Sequence, residues 1–310
     1  MKLSFFSFGV KAGFLSRIRI DPHAKMSRMH KGGIARQAPC RHIGGMTRSI
    51  LLVLAAMALP ASPALASSSD WFETEGGSVR LVTSAMPDEQ GRLRGMIDIV
   101  LKPGWKTYWR DPGGSGVPPT LDVTRSAGLS GVTVYFPVPG RHDEGDFVWM
   151  GYDRPVTFPV VFQMEPGNQS GLIEADLFLG VCETICIPVK AELLLDPAAD
   201  PDNEDDAAAV EAAFADLPSP ARPDFGVSAV SSADGRLKVE VIAPGDPGAV
   251  DFFLAGDVNY AFGPPEKVVK DGKIVFSFKA DIPEGPAASG GLHYTLVGQS
   301  GAVSGIIPYF

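Results

Sequence analysis

Two cysteines, Cys182 and Cys186, stand four positions apart in the stretch GVCETICIPV (180–189). Thiols this close can bond to each other, exchange that bond with another protein, or hold a soft metal ion. The flanking residues decide whether the two can meet. Ile173, Ala175, Leu177, Leu179 and Val181 alternate with Glu174 and Asp176; after the pair, Val189, Ala191, Leu193 and Leu195 alternate with Lys190 and Glu192. This period of two predicts antiparallel strands over 172–181 and 186–195, joined by Glu183-Thr184-Ile185. In a fully extended chain the cysteine Cα atoms would lie roughly 13 Å apart. A disulfide needs about 4.4–6.8 Å. A three-residue hairpin loop sets its flanking residues opposite each other at about 4.5–5.5 Å, which permits the bond. Both cysteines share parity with the polar positions. Both are therefore predicted to point away from the core, toward a surface that a partner can reach.

Such a bond is either a passive staple or a reactive centre. In the chain-entropy model, closing so short a loop stabilises by only about 2 kcal/mol, against about 4.7 for a 100-residue loop. Exchange would begin with a thiolate attacking one sulfur, giving a mixed disulfide that the second cysteine resolves. The nearest basic residue in the chain is Lys190, whereas Glu183 and Asp176 are acidic. Acidic neighbours raise a thiol pKa. The pair should therefore react slowly alone and faster inside a complex that opens the loop.

Two further segments are rich in aromatic residues. PGWKTYWRDPGGSGVPP (103–119) places Trp105, Tyr108 and Trp109 ahead of a Pro/Gly-rich run, and reads as core packing followed by a rigid loop. RHDEGDFVWMGYDRP (141–155) reads as a loop holding Phe147, Trp149, Met150 and Tyr152 together with Asp143, Glu144 and Asp146. Core packing alone does not account for large apolar groups among acids. They could cover a sulfur pair or form a docking surface. If this segment forms a cap, Phe147 or Trp149 is expected against a cysteine sulfur.

The remaining elements must position these groups. Residues 1–45 are basic and patternless, and read as an extension ahead of a true start at Met46. Residues 46–66 have the layout of a signal peptide: Met46-Thr47-Arg48, the apolar run Ile50 to Leu59, and the small-x-small site Ala64-Leu65-Ala66. The apolar run is shorter than the ~20 residues a spanning helix needs, and no other segment qualifies. Export with a cysteine pair fits an oxidising compartment, the periplasm. The first 66 residues hold ten of the 27 Lys and Arg and one of the 36 Asp and Glu, leaving 17 basic and 35 acidic residues, net −18. Nucleic acid and anionic membrane surfaces are poor partners for such a chain. Only His142 and His293 remain, too far apart to suggest a triad. No Gly-rich phosphate loop is present, and no cofactor is expected. Strands are predicted near 78–84, 93–102, 119–123, 131–136, 155–164, 172–181 and 186–195. A second set falls near 225–231, 236–243, 250–255, 265–270, 273–279, 291–298 and 302–308. The fold class is all-β: two immunoglobulin-like antiparallel sandwiches, 67–196 and 224–310. The acidic linker 197–223 joins them and carries a short helix near 206–216, on the spacing of Val210, Phe214 and Leu217. The second sandwich, without cysteine, reads as a support or docking domain.

The first sandwich resembles the N-terminal periplasmic domain of the thiol:disulfide interchange protein DsbD and its relatives in ScsB-type reductases. The resemblance covers roughly 70–196. It rests on GWKTYWRDPG (104–113), HDEGDFVWMGYDRPVTFPV (142–160) and CETICIP (182–188), in that order. It implies an immunoglobulin-like domain whose cysteines, here Cys182 and Cys186, pass electrons from a membrane domain to periplasmic thioredoxin-like partners. That is a thiol-disulfide oxidoreductase role in a disulfide or cytochrome c reductase pathway. It also implies a shielding cap loop with an aromatic tip, onto which Asp146, Phe147, Val148 and Trp149 fall. The second sandwich is similar to the paired sandwiches that begin ScsB-type proteins. Two features depart from the family pattern. The best-known DsbD domain has a longer loop between its cysteines. Its membrane and C-terminal thioredoxin-like domains have no counterpart here, so a separate membrane protein would supply the electrons.

Two other readings stay open. C-x-x-x-C spacing also serves periplasmic copper delivery, with His142 completing a site on Cys182 and Cys186, and Met150 close by. Alternatively, tandem sandwiches with exposed aromatics form a non-catalytic binding module whose disulfide is passive.

Overall fold

The computed structural model describes residues 67–84, 86–114, 116–145, 147–167, 171–256, 260–281 and 290–308. The extension and signal-peptide readings, with Cys40, lie outside these residues, as does Asp146.

Eleven strands build the first sandwich: β1 (Phe72–Thr74), β2 (Gly77–Thr83), β3 (Arg92–Leu101), β4 (Lys106–Gly113), β5 (Thr120–Asp122), β6 (Leu129–Val134), β7 (Gly140–Asp143), β8 (Val148–Tyr152), β9 (Val156–Met164), β10 (Ile173–Cys182) and β11 (Cys186–Leu195). One sheet runs β1-β2-β3-β9-β6. The other runs β11-β10-β4-β8-β7, with β5 also on β10. The alternation read around the cysteines is the alternation of burial. Ile173, Ala175, Leu177, Leu179 and Val181 of β10, with Val189, Ala191, Leu193 and Leu195 of β11, all enter the inter-sheet core. Facing strands contribute Leu81, Ile97, Phe158 and Phe162 to the same core. Truncating one such side chain would cost about 2–5 kcal/mol.

The linker helix α1 (Glu204–Ala215) starts two residues earlier than the apolar spacing suggests. The Asn203 side chain caps it by accepting from the Asp206 N–H at 2.9 Å, and Glu204, Asp205 and Asp206 fill its first turn. Acids there complement the helix dipole. Val210 and Ala213 pack on Val82 and Met96, so the helix lies on the outer face of the first sheet.

The second sandwich comprises β12 (Ser219–Pro220), β13 (Gly226–Ala233), β14 (Arg236–Ile242), β15 (Asp251–Ala255), β16 (Ala261–Phe262), β17 (Glu266–Lys270), β18 (Lys273–Asp281), β19 (Leu292–Gly298) and β20 (Gly301–Ile307). Its sheets run β12-β20-β19-β15 and β13-β14-β18-β16, with β17 on β18. Two immunoglobulin-like sandwiches are thus present, as the strand spacing predicts. They lie within one compact unit, and Phe253 and Ala255 of β15 are part of the first sandwich's core. Trp109 meets Phe253 edge-on, with ring centroids 6.0 Å apart.

Candidate redox site

The β10–β11 hairpin closes on the cysteines. Cys182 ends β10, Cys186 begins β11, and the two are register partners. Their Cα atoms lie 4.1 Å apart and their sulfurs are bonded. The loop between them is exposed, Ile185 at 75%.

The two cysteines differ in access. Cys186 is exposed, but only 1% of Cys182 is. Parity behaves as predicted, since Val181 enters the main core and Cys182 does not. The expectation that both thiols reach solvent is corrected for a local reason. The outer face of the sheet is itself covered there by Tyr108 and Trp149, which form a small buried cluster with Cys182.

Tyr108 is set by its strand and by two glycines. Thr107 pairs with Val181 across β4 and β10, and its Oγ1 donates to the Gly180 carbonyl at 2.9 Å. A Cβ on Gly180 would sit 3.3 Å from Tyr108 Cε2, and one on Gly116 only 2.6 Å from Cε1. The ring occupies space that side chains there would fill. Its hydroxyl lies 3.0 Å from Cys182 Sγ and 3.1 Å from Cys186 Sγ. Burial pushes the phenol pKa up, and the charge of Glu144 adds to this. The hydroxyl therefore stays protonated at neutral pH and can donate to one sulfur at a time. From its segment alone Tyr108 is expected in core packing. The available signal was adjacency: neighbours in a strand face opposite sides, so Tyr108 and Trp109 could not share one core.

The segment 141–155, expected to be a loop, is mostly a hairpin of β7 and β8. Trp149 is buried and meets Tyr108 edge-on at 6.0 Å and 81°. His142, opposite it across β7 and β8, stacks on its face at 3.8 Å. The Trp149 indole N–H donates to Glu144 Oε1 at 2.7 Å, and that carboxylate also pairs with Lys106. Hydrogen bonds from Lys106 and then Trp149 hold the Glu144 carboxyl below the usual carboxylate range. The Lys106 ammonium sits 4.6 Å from the Trp149 ring centroid, a cation–π contact. Phe147 at the tip is 40% exposed, so Trp149 and not Phe147 covers Cys182.

Lys106 is the cation that chain distance hid. It is the register partner of Cys182 across β4 and β10, whereas Lys190 lies near the Phe178 ring. Asp176, expected to burden the thiols, is paired with Arg125 at 2.6 Å. At the hairpin's base, Arg141 of β7 donates to both Asp251 carboxylate oxygens, at 3.1 and 3.2 Å, and to the Phe252 carbonyl at 2.8 Å. It also lies over the Phe253 ring.

Residues 80–197 match the family model of thiol:disulfide interchange protein DsbD, N-terminal. The match runs from β2 through the cysteine hairpin, so the resemblance drawn from three short motifs is borne out. The chain is also similar in fold to a solved structure, the N-terminal periplasmic domain of ScsB from Proteus mirabilis. The TM-score is 0.62 at 22% identity, covering 78% of this chain and 98% of that one. The share covered exceeds the first sandwich alone. No curated protein is significantly similar to the sequence. The similarity to DsbD and the hairpin disulfide together support thiol–disulfide exchange, in general terms, as the chemistry of this site.

The other predicted site residues divide around it. Val148 is half-buried in β8, and Met150 Sδ accepts from Arg141 at 3.8 Å. Tyr152 turns into the main core, where its hydroxyl donates to the Pro137 carbonyl at 2.8 Å and burial pushes its pKa far up. That burial corrects its assignment to a docking surface. Among the described residues, no three His, Cys, Asp or Glu side chains are grouped to hold a metal.

Proposed function

We propose that the chain relays reducing equivalents in the periplasm, cycling between disulfide and dithiol at Cys182–Cys186 and exchanging with thioredoxin-like partners. The observation that carries this reading is the asymmetry of the pair, one cysteine exposed and the other buried beside a phenol. A donor thiolate attacks Cys186 Sγ, the disulfide breaks, and Cys182 leaves as a thiolate. The Tyr108 hydroxyl can donate to that thiolate, which lowers the cost of the leaving charge. The donor's second thiolate then attacks the mixed disulfide and frees Cys186, leaving the donor oxidised and the pair reduced. Delivery to the next partner runs the same steps in reverse, with Cys186 attacking and Cys182 resolving. The β7–β8 hairpin acts as a cap that shields the bond until a partner displaces its tip, and the similarity to a periplasmic ScsB domain supports the compartment. Electrons would come from a membrane electron donor.

The test uses a purified periplasmic thioredoxin-fold protein with an oxidised C-x-x-C. Reduced Cys182→Ser should accumulate a mixed disulfide through Cys186, and Cys186→Ser should not. The wild-type bond should titrate above the roughly −300 mV below which structural disulfides fall. If neither variant traps the partner and the bond resists a thioredoxin-strength reductant, the disulfide is a passive staple.

A further inference from the structure

Tyr108 and Trp109 are neighbours in β4 but serve opposite faces. Tyr108 rests on the disulfide, whereas Trp109 lines a cavity of about 670 Å³. The first sandwich, the end of α1 with the segment after it, and β19–β20 of the second sandwich together line it. Its volume falls among small-molecule sites, which span about 300–1,000 Å³. Tyr135, Phe136, Phe214 and Tyr294 supply aromatic walls, and no acidic side chain lines it.

Two polar groups there lack the partners that buried groups normally have. Trp109 is 1% exposed, and its indole Nε1 is the one buried side-chain nitrogen or oxygen without a hydrogen-bond partner among the described residues. Such groups are nearly always satisfied in folded proteins. The next residue, Arg110, also lines the cavity, with its guanidinium 4.8 Å from the Phe136 ring centroid. Among the described residues no carboxylate pairs with it. Burial lowers its pKa to about 10, so it remains charged at neutral pH. A partly buried cation with no counter-ion suits an anion. A single guanidinium suits one negative charge better than a phosphate's two.

We propose that this cavity binds a small organic carboxylate with an aromatic or branched apolar body, its charge taken by Arg110, its body by the aromatic walls. The inference stands apart from exchange at Cys182–Cys186 and does not require it.

The oxidised wild-type protein would be titrated calorimetrically with 2-naphthoate and with neutral 2-naphthylmethanol, an analogue of similar shape. The carboxylate should bind one to one and at least about tenfold more tightly than the alcohol, the scale of a charge-assisted hydrogen bond. The Trp109 indole N–H resonance, assigned by its loss in Trp109→Phe, should shift on saturation. Arg110→Gln should abolish the preference for the carboxylate. If that variant does not fold, the two ligands on the wild-type protein still decide the matter. Absence of naphthoate binding at millimolar concentration, equal binding of both compounds, or an unmoved Trp109 resonance would overturn the proposal.

Discussion

At its base the β7–β8 hairpin is tied to the second sandwich, and at its tip it rests largely on one lysine. The base has Arg141 donating three hydrogen bonds to Asp251 and to the Phe252 carbonyl, with its guanidinium also over Phe253. Arg141 is only 23% exposed in its side chain. The tip has the Lys106–Glu144 pair, its side chains 12% and 43% exposed, and an exposed Phe147. Arg141 reaches three acceptors on the second sandwich, whereas at the tip one ion pair, with its carboxylate open to solvent screening, and one indole hydrogen bond hold Glu144. The difference assigns the two sandwiches different work. The second fixes where the hairpin stands, and the first lets its tip leave the disulfide. A docking partner would then need to break only one weak pair and the contacts of Trp149.

Removing the Trp149 ring tests the tip most severely. Trp149→Ala should cost about 3–5 kcal/mol of stability and raise the rate at which dithiothreitol reduces Cys182–Cys186 by about tenfold or more. Trp149→Phe should keep most of the shielding. The comparison breaks if Trp149→Ala is reduced at the wild-type rate, for then the ring does not govern access.

Arg141→Ala should have an intermediate effect. With Asp251 38% exposed, solvent screening limits the expected loss to about 1–2 kcal/mol in chemical denaturation. Reduction should quicken only a few-fold, because the tip contacts remain. Acceleration equal to that of Trp149→Ala would mean that the base and tip open together, and the distinction between them would fall.

Much of this was legible in the sequence because β-sandwich strands write their burial as alternation. The strands 172–181 and 186–195 fall within a residue of β10 and β11, and the second sandwich's predicted strands are close to those found. The short strands β1, β12 and β16, and the site strands β4, β7 and β8, are not among those the pattern predicts. β4 carries Lys106, Thr107, Tyr108, Trp109 and Arg110 in succession, with no polar–apolar alternation. Both its faces are covered, one by the core and the other by the cap, so the period-two signal is lost. Cys182 shows the same limit. Parity reports which face a residue lies on, and another part of the chain decides whether that face meets water. Lys106 was missed because register, not chain distance, sets it opposite Cys182.

The smallest expected effect belongs to the tip's ion pair, and pH exposes it. The carboxyl of Glu144 is held below the usual carboxylate range by Lys106 and Trp149. A folded-state pKa lowered in this way stabilises the closed tip fully above the ordinary carboxylate pKa. That contribution fades as pH falls through the folded value. Glu144→Gln lacks the charge at every pH, although its amide oxygen can still accept from the indole. At neutral pH the wild type should therefore be reduced a few-fold more slowly than Glu144→Gln. The ratio of the two rates should approach one as pH drops through the carboxylate range. Taking the ratio at each pH removes the reductant's own titration. A phosphine reductant, active in acid, keeps both rates measurable. A ratio that stays constant across the range would show that the Lys106–Glu144 pair does not hold the tip. The shielding of Cys182 would then rest on the packing of Trp149 and Tyr108 alone.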